Sequence, residues 1–231
     1  MRSNARHRSR GQAGVSLIEL LIGLALGLFI VGAALTMLVV HLRESEALVA
    51  QNRLMQDLRA TTDLIARDLR RAGYWSNASA GVWPRGSVSG SSNVAINPYT
   101  TVAVDGAAIT YRFSRDAVEN ERVDDNEQFG YRLRGGALEM QLGAGHWQSM
   151  TDIGSMKVTR LDITPTERVV DLGDSCQVPC PALGASCPPR LHVRSVTVTV
   201  SARGTTDTTV ERTLRTSVRL RNDEITGRCP A

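Results

Sequence analysis

The hydrophobic pattern of the chain is dominated by one long apolar run near the N-terminus. Between Glu19 and His41 lie twenty-one residues without a charged side chain. At about 1.5 Å of rise per residue, a helix of this length extends about 31 Å, enough to cross the hydrocarbon core of a bilayer. The pattern therefore predicts a transmembrane helix over 15–40.

The helical pattern continues beyond the apolar run with a different composition. Over 41–73 the apolar residues recur at a 3.6-residue period and the opposite face is charged. The periodic apolar residues are Leu54, Leu58, Ile65, Leu69 and Ala72. Arginines crowd the last turn and Gly73 is placed to end the helix. We therefore predict that 41–73 is the amphipathic half of the same helix and covers a β-sheet.

From residue 74 onward the chain changes to a two-residue period. A stretch rich in glycine and serine, 74–101, is predicted to be a loop anchored by Trp75 and Trp83. Apolar and polar residues then alternate in short stretches separated by polar turns, a pattern typical of half-buried antiparallel strands. The strand-like stretches are 109–113, 129–133, 138–142, 156–164, 191–202 and 214–220.

Local signals add detail to this β region. Gly135-Gly136 predicts a hairpin between two neighbouring strands, and a turn near Gly204 predicts a longer hairpin between the last two. The parity of the apolar positions changes in the middle of the strand before Gly204, which predicts a bulge or bend near Arg194-Ser195. Together with the long helix, these patterns predict an α+β fold in which the helix packs on an antiparallel sheet.

The charge pattern places a basic leader, 1–14, in front of the apolar run. It contains Arg2, Arg6, Arg8 and Arg10 and no acidic residue. A basic flank stays on the cytoplasmic side, so the chain after the span is expected outside the inner membrane. The whole chain has 27 basic and 23 acidic residues, so loss of the four leader arginines leaves 23 of each and no net charge. A nucleic-acid-binding body is therefore not indicated.

The N-terminal pattern by itself is compatible with two common types of membrane-targeting segment. A secretory signal peptide would be cleaved after the apolar run, near Ala33 or Ala34, although the run is longer than an ordinary signal core. A plain membrane anchor would remain uncut. Neither interpretation gives a role to the carboxylate of Glu19, which lies just inside the start of the span.

A third interpretation rests on a family resemblance. Gly14-Val15-Ser16-Leu17-Ile18-Glu19 resembles the processing site of type IV prepilins. In that family a prepilin peptidase cuts after the glycine and methylates the new N-terminal residue, and glutamate is the fifth residue of the processed chain. The resemblance implies cleavage between Gly14 and Val15, N-methylation of Val15 and a role for Glu19 in subunit assembly. Val15 replaces the usual phenylalanine, a departure that the family tolerates.

Two further stretches are similar to the PilW family of minor pilins. These are LIARDLRRAGYW at 64–75 and Val218-Arg219-Leu220-Arg221-Asn222. The second stretch also resembles the J-type minor pseudopilins of type II secretion. The resemblance implies a type IV pilin-like fold, with a long N-terminal helix on an antiparallel head. It also implies that the partners are other minor and major pilins, the prepilin peptidase and the inner membrane.

The four cysteines all occur late in the chain, at Cys176, Cys180, Cys187 and Cys229. Four thiols in an extracytoplasmic domain indicate two disulfides, for which three pairings exist. Their spacing is not that of paired zinc knuckles. We predict Cys176–Cys180, because these two cysteines are close enough to close a small loop, and Cys187–Cys229, while the other two pairings remain open.

The sequence contains no motif that ties its reactive residues into a catalytic site. Gly173-Asp174-Ser175 is similar to a hydrolase nucleophile turn, but no motif connects it to His146 or His192. Nucleotide-binding and metalloprotease motifs are absent from the sequence. The acidic run 124–127 offers oxygen ligands that suit calcium, but without the spacing of an EF-hand it is expected to be a solvated turn. We therefore expect no enzyme activity, cofactor, nucleotide or metal.

These patterns lead to one functional expectation with alternatives. We expect a minor pilin that takes part in type IV pilus assembly, in the initiating or tip complex, with twitching motility as the associated process. The protein would cross the inner membrane once, with its head, 74–231, in the periplasm, and then enter the extracellular pilus. The alternatives are a J-type minor pseudopilin of a type II secretion system and, in another class, a membrane-tethered periplasmic enzyme or binding protein.

Overall fold

The computed structural model describes residues 14–81, 95–181, 187–205 and 208–230. The described part contains one α-helix, three short 3₁₀ turns and nine strands. The chain divides into two compact units, 1–49 and 50–231, and most of its residues belong to the second. Trp83 and most of the basic leader lie outside the described residues, so the roles expected for them remain predictions.

Helix α1 (Leu17–Leu69) is continuous, as the sequence predicts. Among the described residues, α1 is the one helix that is long and apolar enough to cross a membrane. Over 17–49 no residue of α1 is buried, and up to Val40 apolar side chains occupy all sides of the helix. Over 50–69 the helix is amphipathic, and only one face is buried.

The first sheet of the head is a five-stranded antiparallel meander in the order β1-β2-β3-β4-β5. Its strands are β1 (Val102–Asp105), β2 (Ala108–Arg112), β3 (Gln128–Arg134), β4 (Ala137–Leu142) and β5 (Trp147–Ser149). The predicted hairpin joins β3 to β4, where Gly135 and Gly136 have φ angles of 62° and 86°. Positive φ at both central residues is the geometry of a type I′ turn, which suits the twist of two paired strands.

The second sheet is also antiparallel and contains the longest strands. β6 (Met156–Asp171), β7 (Arg190–Gly204) and β8 (Glu211–Arg219) are neighbours in that order, and β9 (Glu224–Thr226) pairs with the start of β7. The sequence predicts one sheet, whereas the structure has two. The alternating pattern shows which face of a strand is buried, but it does not show which strands pair.

The bulge predicted near Arg194-Ser195 is wrong. Both residues pair in regular register with β6, and the irregularity lies in β6 itself, between Val158 and Arg160. The change in parity coincides with a change of neighbour, because β7 pairs with β9 from Arg190 to His192 and with β8 from Ser195 onward. Beyond the core, the apolar positions no longer report a single buried face.

The amphipathic half of α1 and the inner faces of both sheets share one core. The helix contributes Leu54, Leu58, Ile65 and Leu69, and the turn after it contributes Ala72, the fifth residue that the period predicts. The sheets contribute an aromatic group around Tyr111 and Tyr131 and a valine row at Val196, Val198 and Val200. Full burial of each such side chain stabilises the fold by about 1.5–3 kcal/mol.

Both disulfides differ from the predicted pairing. The structure joins Cys176 to Cys229 and Cys180 to Cys187, so that all four cysteines are paired. The reason is strand register: Asp171 of β6 and Thr226 of β9 both lie opposite Arg190 of β7. The segments that carry Cys176 and Cys229 therefore leave the sheet at the same end. Spacing along the chain does not contain this information.

Replacing Gly73 by alanine should lower the free energy of unfolding by about 3 kcal/mol. Gly73 has a φ of 79°, and an added Cβ would lie 2.8 Å from the carbonyl oxygen of Arg221. Gly106→Ala is the matched control, because Gly106 has a φ of 55° and no atom within 4 Å of its Cβ position. The control should lose about 1 kcal/mol, from backbone strain alone. Urea unfolding of the full chain in detergent micelles measures both losses, and equal losses would contradict the close approach.

The two disulfides should stabilise the head unequally. Their sequence separations are 53 residues for Cys176–Cys229 and 7 for Cys180–Cys187. The chain-entropy model gives about 4 and about 2 kcal/mol for loops of these lengths, because closing a longer loop removes more freedom from the unfolded chain. Double serine variants of each pair, compared by urea unfolding, test the difference. A Cys176–Cys180 peptide found by non-reducing peptide mapping would contradict the pairing itself.

Candidate functional site

The bond between Gly14 and Val15 lies in an exposed segment without regular secondary structure immediately before α1. Neither residue is helical, and Val15 is 71% exposed. The first helical hydrogen bond runs from the backbone N–H of Leu20 to the carbonyl of Ser16, so the helix begins two residues after the bond. The predicted cleavage site is therefore exposed and outside the helix, and its cleavage stays a prediction.

Glu19 lies in the first turn of α1 and is exposed. The partial positive charge at a helix N-terminus favours a carboxylate at this position. In the part of the chain that the structure describes, the Glu19 side chain has neither a hydrogen bond nor an ion pair. Its negative charge is therefore available to a group from another molecule.

The surface of α1 that follows Glu19 is apolar on every side. Large side chains from Leu17 to Leu42 are 47–77% exposed, a surface that requires lipid or other apolar helices around it. Gly23, Gly27 and Gly32 lie on this segment with no atom within 4 Å of their Cβ positions. Small residues at such spacing allow another helix to approach closely in an apolar medium.

The two stretches that resemble minor pilins contact each other at the end of α1. The backbone N–H of Arg221 donates to the carbonyl of Ala72 at 3.1 Å, and that of Gly73 donates to the carbonyl of Arg112 at 2.8 Å. The side-chain amide of Asn222 donates to the Gly73 carbonyl at 3.1 Å. We call these contacts, between Ala72–Gly73 and residues Arg112, Arg221 and Asn222, the latch. They join α1 to strands of both sheets.

Side chains of the same stretch add to the latch from the helix. The Tyr131 hydroxyl donates to a carboxylate oxygen of Asp68 at 2.8 Å, and the Arg71 guanidinium lies 4.2 Å from the centre of the Phe113 ring. Burial, together with the neighbouring Tyr111 and Asp68, raises the pKa of the Tyr131 hydroxyl above its ordinary value, so the hydroxyl keeps its proton. The sequence analysis noted the stretch but did not predict its contacts.

His192 and Ser175, which the sequence analysis considered as catalytic residues, make contacts within the β-sheet region and its turns. His192 lies 2.8 Å from Glu167 of β6 through one ring nitrogen and 2.8 Å from Thr226 of β9 through the other. It therefore bridges three neighbouring strands. Ser175 ends a short 3₁₀ turn that begins at Gly173, and the backbone N–H of Ser175 donates to the carbonyl of Leu172.

Three carboxylates come together at the start of β3. Asp116, Asp124 and Glu127 each place one oxygen within 4.8 Å of the others. The sequence analysis expected a solvated turn over 124–127, whereas Glu127 is fully buried. It also missed Asp116, which a loop of the chain brings to the group and which no short-range pattern indicates.

Comparison with known families agrees with this geometry. Residues 9–35 match the prokaryotic N-terminal methylation motif, and residues 47–220, most of the chain, match the model of prepilin peptidase-dependent protein B. No curated protein and no solved structure matches the chain. Both family matches support a type IV pilin-like protein without singling out the PilW kind. The chain belongs to the family of prepilin peptidase-dependent protein B.

Proposed function

We propose that this protein is a minor pilin that acts in the assembly of a type IV filament, in the initiating or tip complex. The observation that carries the proposal is the methylation motif placed directly before an uncovered apolar helix. A prepilin peptidase cuts between Gly14 and Val15 and methylates Val15. The head faces the periplasm while α1 crosses the inner membrane, and the protein leaves the membrane when it joins the filament.

Glu19 supplies the directional contact in this proposal. A carboxylate in a membrane-spanning helix costs about 2.5–3.5 kcal/mol near the bilayer centre and less near the interface. Cleavage at Gly14 creates a free amine in every processed subunit. Because Glu19 has no partner within the described chain, pairing with the amine of a neighbouring pilin neutralises its charge. The apolar surface and the glycines of 17–42 then pack against other pilin helices.

A J-type minor pseudopilin of a type II secretion system is the second candidate. The stretch from Val218 to Asn222 resembles both groups, and it forms the β8 side of the latch in this structure. The N-terminal processing and the role of Glu19 would be the same. The two candidates differ in the apparatus that the subunit enters, and the deletion experiment below separates them.

The mature protein should begin at Val15 and carry a methylated amine. The bond between Gly14 and Val15 is exposed and precedes the helix, so the peptidase has access to it. Mass spectrometry of the N-terminal peptide from membranes checks the prediction, and a strain without prepilin peptidase is the control. A start near Ala33 or Ala34 would indicate a signal peptide. An uncut N-terminus would indicate a plain anchor and support the membrane-tethered class.

Replacing Glu19 by alanine should leave cleavage and membrane insertion intact but lower the recovery of partner pilins at least about tenfold. Removing one member of an ion pair in an apolar environment leaves the other member unpaired. Glu46→Ala is the matched control, because Glu46 is also an exposed acid on α1. Co-purification of pilins from membranes measures the effect. Equal recovery from the two variants would argue against a pairing role.

The same variants also test the function in cells. A strain that lacks the gene should lose most surface filaments and twitching, and the Glu46→Ala gene but not the Glu19→Ala gene should restore them. Normal piliation in the deletion strain would refute the initiating role. Loss of protein secretion with normal piliation would instead assign the chain to a secretion pseudopilus.

A further inference from the structure

The three-carboxylate group at the start of β3 brings acidic side chains together without a basic side chain among the described residues to pair with them. Its oxygens lie within 4.8 Å of one another, and Glu127 is fully buried while Asp116 is partly buried. No ion pair within the described ranges involves Asp116, Asp124 or Glu127. Like charges at this distance repel one another unless one carboxyl keeps a proton or a cation lies between them.

Asp116 supplies an independent indication that this group binds a ligand. Its Oδ2 atom is completely buried and has no hydrogen-bond partner in the described part of the chain. A buried carboxylate oxygen without a donor is costly, because it has lost its water and gained nothing in return. Such an atom in a native fold requires an explanation, and a bound ion is one of the few available.

Glu127 does have partners, but all of them are neutral. The backbone N–H groups of Arg115 and Asp124 donate to its two oxygens at 2.7 and 2.9 Å. These donors hold the carboxylate in one orientation without cancelling its charge. They leave lone pairs on both oxygens, because a carboxylate oxygen can accept more than one contact.

Around the neighbouring Tyr99, acceptor oxygens also outnumber the available hydrogen-bond donor. Its hydroxyl lies 2.8 Å from a Glu119 oxygen, 3.0 Å from the Arg122 carbonyl and 3.4 Å from a Glu127 oxygen. One proton serves one acceptor at a time, and the surplus oxygens are the hard ligands that Ca²⁺ prefers.

We propose that Asp116, Asp124 and Glu127 bind a Ca²⁺ ion. Ligands at 2.3–2.6 Å from calcium lie at most about 5 Å from one another, which matches the spacing of these oxygens. Calcium accepts irregular loop geometry, whereas Mg²⁺ demands a near-ideal octahedron at shorter distances. The ion joins the loop after β2, through Asp116, to the turn that opens β3, through Asp124 and Glu127.

The site ties down a loop that contacts the segment after α1. Glu119 accepts a hydrogen bond from Ser76 at 2.8 Å, and Glu121 accepts one from Asn77 at 2.8 Å. The same loop carries Val118, whose side chain is 85% exposed. Bound calcium therefore fixes an exposed surface beside the latch. On the proposed function this surface faces the periplasm or the exterior.

The experiment compares calcium binding by three forms of the full chain in an uncharged detergent. The forms are wild type, Asp116→Asn and the control Asp105→Asn, which removes an exposed acid at the end of β1. Each is stripped with EDTA and titrated with CaCl₂ or MgCl₂ up to about 10 mM, the range of weak extracellular calcium sites. Isothermal titration calorimetry gives the Kd and thermal unfolding gives the Tm.

Calcium should raise the Tm of wild type and of Asp105→Asn by about 5 °C at saturation. Asp116→Asn should bind calcium at least about tenfold more weakly and show little shift. Without calcium, Asp116→Asn should be at least as stable as wild type, because the amide removes one repelling charge. That readout distinguishes a lost ligand from a damaged fold.

Three results would overturn the proposal. They are a wild type whose Tm does not respond to calcium, an equal response in Asp116→Asn, and an Asp116→Asn that is less stable than wild type in EDTA. A response to Mg²⁺ equal to that to Ca²⁺ would overturn the choice of calcium. None of these results depends on processing at Gly14 or on filament assembly.

Discussion

The latch at the C-terminal end of α1 is the contact on which the head depends. There the turn that follows α1 is hydrogen-bonded through its backbone to Arg112, the last residue of β2 in the first sheet, and to Arg221, beyond β8 of the second sheet. The apolar core alone would allow each sheet to slide along the helix, because hydrophobic packing is not directional. Two backbone hydrogen bonds at fixed positions on Ala72 and Gly73 define where the helix stops relative to the strands.

The charge of Arg194 also favours the end of the helix at this position. The Arg194 side chain donates to the carbonyl of Thr100 at 2.5 Å, and its Nη2 lies 3.4 Å from the place that a Cβ of Gly73 would occupy. Nη2 and Nε of Arg194 are buried without hydrogen-bond partners in the described part of the chain. A guanidinium beside the last turn of a helix is favoured by the partial negative charge there. Gly73 therefore ends the helix and leaves room for both the Arg221 carbonyl and this cation.

The features that the sequence predicted correctly are those that local chemistry determines. The long helix and the Gly135-Gly136 hairpin each depend on neighbouring residues, and the structure confirms them. The helix was predicted to run to Gly73, but α1 ends at Leu69 and a turn over 70–73 leads to that glycine. The two sheets, the disulfide pairing and the irregularity in β6 depend on which strands meet in space. At the site, the motif identified Gly14, Val15 and Glu19, and their roles in processing and assembly stay predictions. The latch and Asp116 were missed because their partners are far away in the sequence.

One helix provides two kinds of surface, and this contrast explains how a single-pass anchor can become part of an assembly. Over 50–69 the apolar stripe is used up by the head core, whereas over 17–49 every apolar side chain is uncovered. Lipid and a bundle of similar helices both satisfy such a surface, since transfer between them changes apolar burial little. The carboxylate of Glu19 then decides between the two environments. Lipid offers it no counter-charge, whereas on the proposed function each neighbouring processed subunit offers an amine, so a single residue favours the filament over the membrane.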